Sequence, residues 1–196
     1  MKEINVRKLT MTAMLSAVAT VLMFFSFSVP VVPSFIKMDF SELPALIGAF
    51  SMGPVSGVMI CLIKNLVNLT ATTTGGVGEL CNFMFGACFV LPAGLVYKRK
   101  KTKMSAITGA LIGAIVMAVL SVPINYYLTY PVYAAFIPMD TIIGMYQAIN
   151  PSVTGLLDAL IKFNMPFTFV KALFSVLITV LIYKHVSPLI KGTKID

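Results

Sequence analysis

Residues 105–129 run without a single charged side chain, and five more stretches (8–28, 42–52, 54–70, 79–97 and 166–185) are nearly as apolar. A helix rises 1.5 Å per residue, so about 20 such residues cross the ~30 Å hydrocarbon core of a bilayer. Segments 8–28, 79–97, 105–129 and 166–185 meet that length. Segments 42–52 and 54–70 are shorter and meet within "SMGPVSG", where Gly53-Pro54 is a strong breaker. They read as two short helices, because every basic cluster then falls on one side of the membrane. Only 11% of the 196 residues are charged and the mean hydropathy is +0.94; a soluble domain would carry roughly 25% charge. The expected fold is all-α: one integral membrane domain, residues 1–196, with six transmembrane helices. The polar lead "MKEINVRKLT" runs into the first apolar stretch without an A-x-A-like cleavage site, so that stretch is expected to be a retained span.

The net charge of +8 would suit nucleic acid, but the basic residues sit where topology puts them. Lys2, Arg7 and Lys8 precede the first span; Lys98, Arg99, Lys100, Lys101 and Lys103 form one short loop; Lys184, Lys191 and Lys194 follow the last span. The positive-inside rule therefore makes both termini and the "YKRKKTK" loop cytoplasmic. The outer face receives residues 29–41, "TATTTGGVGE" and the long segment 130–165, and long connections tend to carry function. No internal repeat is evident, which disfavours an inverted-repeat carrier.

Catalytic chemistry finds little support. Cys61, Cys81 and Cys88 are odd in number and lack metal-ligand spacing, and His185 is the sole histidine. No triad, metal centre or paired intramembrane acid and base emerges, so the chain reads as a non-enzyme without metal. "TTTGGVGE" has no Walker A lysine, so energy for transport would come from elsewhere.

Polar groups inside spans are costly and tend to face the bundle interior. These are Lys64, Asn65, Asn68, Asn82, Asn125, Asn164 and Lys171; Lys64 could instead snorkel along its stem. Lys171 could pair with Asp39 or Asp158, or donate to a ligand. Aromatic residues crowd the outer side, among them Phe35, Phe40, Tyr126, Tyr127, Tyr130, Tyr133, Tyr146, Phe163 and Phe167. They suit an interfacial belt, and a few could stack on a planar ligand. In the first span Thr12, Ser16 and Thr20 recur every fourth residue beside Ala13-x-x-x-Ala17, a small-residue face for close helix packing within this subunit or against a partner.

"FIKMDFSELPALIGAF" packs three charges between apolar runs. With Asp39 as N-cap, Pro44 would remove an intrahelical bond. With Ser41 as N-cap, Glu42 enters the first turn and Pro44 sits at N3, where no bond is lost. The second register is expected. It leaves Glu42 structural, Asp39 a candidate ligand contact and Lys37 solvated.

"MDFSELPALIGAFSMGPVSG", "FNMPFTFVKALFS" with Asn164, Pro166, Phe167 and Lys171, the Ala13/Ala17 pair and the topology together resemble the substrate-binding subunits (S components) of energy-coupling factor vitamin transporters. Within that family the riboflavin-specific type is the most similar, over nearly the whole chain. The resemblance implies one outward-open site made by the first outer loop and the outer halves of the last three helices. It implies as partners a transmembrane coupling subunit, contacted by Ala13 and Ala17, and two cytoplasmic ATPase subunits in a bacterial plasma membrane. Riboflavin is then transported substrate, not cofactor. Asn125, Asn164 and Lys171 suit its uracil-like edge; Asp39 and Asn82 suit its ribityl hydroxyls, and Phe40, Tyr126 and Phe167 are further candidate binding residues. Riboflavin is expected over flavin nucleotides, because no arginine cluster faces outward. Competing expectations are thiamine, biotin or a queuosine precursor on the same architecture, and a self-sufficient small-molecule carrier.

Overall fold

The computed structural model describes residues 6–72 and 74–191. Lys2 and Lys194 lie outside the described residues, as do the side chains of Lys184, His185 and Lys191. Helix α1 (Val6–Phe24) leads into a short antiparallel ribbon of β1 (Phe27–Ser28) and β2 (Lys37–Met38), with Phe27 opposite Met38. Helices α2 (Glu42–Met52) and α3 (Pro54–Asn68) follow, then a 3-10 turn at Leu69–Ala71, α4 (Val77–Arg99) and α5 (Lys103–Ile124). A π turn at Asn125–Thr129 continues α5 into α6 (Tyr130–Tyr133). After α7 (Met139–Gln147), α8 (Leu156–Ala159) passes through a second π turn, Leu160–Asn164, into α9 (Met165–Lys191).

Among the described residues, five helical stretches are long and apolar enough to cross a membrane: Val6–Phe24, Pro54–Ala71, Val77–Arg99, Lys103–Tyr133 and Leu156–Ile182. The expected second span is different. At 11 residues, α2 rises about 16 Å, roughly half the hydrocarbon core. It need not match lipid, because Ala45, Leu46, Ala49 and Phe50 are buried against α1, α3, α4 and α9. Gly53, at φ 101°, links α2 to α3; its N–H reaches the Ala49 carbonyl at 3.1 Å. That left-handed conformation favours glycine.

Helix α5 turns small residues inward and large ones toward lipid, which lets a neighbouring helix approach closely. On α5, Gly109, Ala110, Gly113 and Ala114 are buried while Ile112, Ile115 and Val119 are exposed. A Cβ at Gly109 would lie 2.8 Å from the Ala93 carbonyl oxygen, and one at Gly113 would collide with that of Phe89. This G-x-x-x-G face, absent from the sequence reading above, lets α4 and α5 approach closely.

The last two spans run beyond their expected bounds. The last stretch is helical from Leu156, ten residues before the anticipated 166, and the fifth runs on to Tyr133 rather than 129. Pro166 and Pro131 account for both. Each lies two residues beyond a π turn. Proline lacks an N–H and its ring crowds the carbonyl four residues back; widening the preceding turn relieves both, so the helix continues instead of starting or stopping there. The first span ends at Phe24 rather than 28, where the ribbon begins.

Candidate functional site

A cavity of about 650 Å³ opens at the end of the bundle where α2 begins, α3 ends and α4 begins. The basic loop lies at the opposite end of α4. Its walls also include the loop before α2, the α5 π turn, α6 and the start of α9.

One wall is a buried charge network. Lys64, which could have snorkelled, is fully buried instead. Its ammonium donates to Glu42 Oε1 at 3.0 Å and to the Ser41 hydroxyl. Ser41 in turn donates its hydroxyl and, at 2.9 Å, its backbone N–H to Asp39 Oδ1. Lys171 Nζ donates to Asp39 Oδ2 at 2.8 Å and lies 3.5 Å from Glu42 Oε2. Two acids thus meet two bases, which is what permits burial of all four. Burial pushes the Asp39 carboxyl up, but Lys171, Lys64 and the hydrogen bonds from Lys171 and Ser41 outweigh it and hold the group well below the ordinary carboxylate range. Asp158, the other candidate partner of Lys171, instead pairs with Lys162 at 2.8 Å. Helix α2 starts in the expected register, with Ser41 at the N-cap, yet its hydroxyl serves the network rather than capping. Glu42, expected to be structural only, is both a network member and part of the cavity lining.

A second wall is aromatic and amide. Asn164 accepts from the Tyr146 hydroxyl at 2.7 Å and donates to that of Tyr130 at 3.1 Å, while the two hydroxyls bond each other. Burial, with Tyr130 alongside, pushes the Tyr146 phenol up, so it stays a neutral donor. Phe35, from the loop before β2, meets Tyr130, Tyr133 and Tyr146 edge-on at 6.1–6.3 Å, a favourable aromatic geometry.

The third wall is organised by Glu79, which the sequence reading did not single out. Its carboxylate accepts from Asn68 at 3.2 Å, Thr72 at 2.9 Å and Thr74 at 3.0 Å, tying the end of α3 and both threonines to the start of α4. Cys81, in the same wall, contacts the Thr129 hydroxyl at 2.9 Å.

Of the residues anticipated for binding, Asp39, Asn82, Asn125, Asn164, Phe167 and Lys171 line this cavity. Phe40 and Tyr126 are not in its lining: Phe40 packs on Phe27 at 6.4 Å and the partly exposed Tyr126 on Tyr127 at 5.0 Å. Asn65 lies behind the wall, donating to the Cys61 carbonyl at 2.8 Å. Lys37 lines the rim and is exposed. On α1, Ser16 and Thr20 are buried and bond back to carbonyls four residues earlier, whereas Ala13 and Ala17 face outward.

Residues 7–183 match the family model for the ECF transporter, substrate-specific component. The chain belongs to that family. It is therefore a transporter component rather than an enzyme, and a multi-pass membrane protein. It is 33% identical to the riboflavin transporter RibU of Staphylococcus aureus (strain TCH60), covering 94% of this chain and 93% of that one. Identity to the riboflavin transporter FmnP of Bacillus subtilis (strain 168) is 30%, over 95% of each. A solved S component of a bacterial ECF transporter superposes with a TM-score of 0.74 at 33% identity, covering 94% of this chain and 97% of that one.

Proposed function

We propose that this chain captures riboflavin at the outer face of the cell membrane and passes it inward as the substrate-specific subunit of an ATP-driven importer. The observation that carries this reading is the cavity itself, where aromatic rings stand beside amide and ammonium groups. Its volume, about 650 Å³, falls within the range of about 300–1,000 Å³ usual for small-molecule sites. An isoalloxazine ring has an apolar face for Phe35, Tyr133 and Phe167 and an edge of carbonyls and N–H. Asn125 and Asn164 both donate and accept, and Lys171 donates, so they suit that edge. Asp39 and Asn82 suit the ribityl chain. A ligand lacking those groups would strand buried polar atoms at roughly 1–3 kcal/mol each, which is the source of discrimination.

A six-crossing topology, counting the protein-sheathed α2, puts both termini and the basic loop in the cytoplasm and the cavity outside. The outward Ala13/Ala17 face then suits a transmembrane coupling subunit, and two cytoplasmic ATPases would supply the energy. Titrating the purified chain with riboflavin while following flavin fluorescence tests the reading, with thiamine and biotin as competitors. Quenching that neither competitor reverses is expected, with affinity reduced roughly tenfold or more in Asn164→Ala and in Lys171→Ala. No quenching by the wild-type chain would sink the riboflavin reading; unchanged affinity in both variants would sink the site assignment.

A further inference from the structure

Three carboxylates line the cavity, and they are not equivalent. Asp39 and Glu42 are matched by Lys171 and Lys64. Glu79 is in ion-pair contact with no cation among the described residues. Its three partners, Asn68, Thr72 and Thr74, are all neutral, and the residue is only 6% exposed. A carboxylate has about four acceptor positions, so one remains open.

The start of α4 looks superficially like an anion site, because helix N-termini attract phosphate through free N–H groups. Here threonine hydroxyls already take two of the N–H groups at this end. The Gly76 N–H donates to the Thr72 hydroxyl at 3.0 Å and the Gly78 N–H to that of Thr74 at 3.1 Å. The position is filled by Glu79's own negative charge. Glu79 also lies three residues before Asn82, so the two share a face of α4, and both line the cavity. Asn164, in the second π turn, and Lys171, on α9, line the same cavity.

We infer that Glu79 is a selectivity residue: it accepts a hydroxyl at the polyol end of the flavin and excludes a phosphate monoester there. The inference rests on the riboflavin reading. A monoester carries about −1.5 to −2 charges at pH 7, and placing it against a buried carboxylate sets like charges together, which is unfavourable. Lys37, the remaining cation on the lining, is exposed on β2, where water competes for it.

The test compares riboflavin, flavin mononucleotide and the uncharged riboflavin 5′-acetate by fluorescence titration of the purified chain. In the wild type, the mononucleotide should bind roughly tenfold or more weaker than riboflavin, and the acetate within about threefold of it. Glu79→Gln should narrow the riboflavin-to-mononucleotide ratio by roughly fivefold or more, mainly by tightening the mononucleotide. An acetate rejected as strongly as the mononucleotide would overturn the inference, because bulk rather than charge would then decide. So would a Gln variant with an unchanged ratio, or one that no longer binds riboflavin, which would make Glu79 a purely structural residue. A wild-type chain that fails to bind riboflavin would instead remove the reading on which the inference stands.

Discussion

Lys64 offers the sharpest test of the buried charge network, because it supports the cavity without lining it. Replacing it with the near-isosteric methionine leaves Asp39 and Glu42 facing Lys171 alone, so the buried cluster changes from neutral to one net negative charge. Removing one member of a buried pair typically costs about 3–5 kcal/mol. For a chain of this size each kcal/mol corresponds to roughly 2–4 °C in Tm, so Lys64→Met should lower Tm by roughly 6–20 °C. Glu42→Gln should destabilise comparably, from the opposite sign of excess charge. The double variant restores neutrality and keeps the Asp39–Lys171 pair at 2.8 Å. It should therefore recover most of the loss, giving strong non-additivity. Thermal unfolding of the four detergent-solubilised proteins, at equal concentration and without ligand, measures this directly. Additive losses, or a single-variant shift under about 2 °C, would refute the coupled neutral network.

Other outcomes follow from separate parts of the fold. Gly113→Ala forces a methyl into the Phe89 carbonyl and should cost about 1–3 kcal/mol, read as a lower Tm, whereas Ala at half-buried but unobstructed Gly144 should not. Ala13→Trp with Ala17→Trp should leave riboflavin binding by the isolated chain intact and abolish uptake by the assembled transporter; retained uptake would remove those alanines from the interface. Because the Asp39 carboxyl is held below its ordinary value of 3.8, its contribution is complete above that value and is lost as pH falls beneath it. Tm should thus stay level from about pH 8 to 5 and drop below about pH 4; a stability maximum in acid would contradict this.

Hydropathy and charge placement were enough to find most of the helical stretches, because lipid makes long apolar runs obligatory and concentrates lysine at one face. The α2 register was legible too, since Pro44 is harmless in only one of two frames. What escaped was tertiary. Nothing local distinguishes a snorkelling lysine from Lys64, whose partners Ser41 and Glu42 are 23 and 22 positions away. Glu79 read as a loop-end residue until Asn68 and two threonines folded around it. The Gly109/Gly113 spacing was visible in the sequence and was the missed signal. The last helix starts before Pro166 because a widened turn carries it past the proline, and such a turn leaves no hydropathy pattern of its own.

Those widened turns set a phase. Each π turn holds one residue more than an α turn, and one residue corresponds to about 100° of helix rotation. The turn at Leu160–Asn164 therefore fixes the angle between what precedes it and the buried polar line of Lys171, Ser175 and Thr179 on α9. Were the same residues wound as an ordinary α turn, that line would rotate by about 100° and lose its alignment with Asp39, with composition and hydropathy unchanged. The winding of these five residues is thus as much a determinant of this site as the identity of any side chain in it.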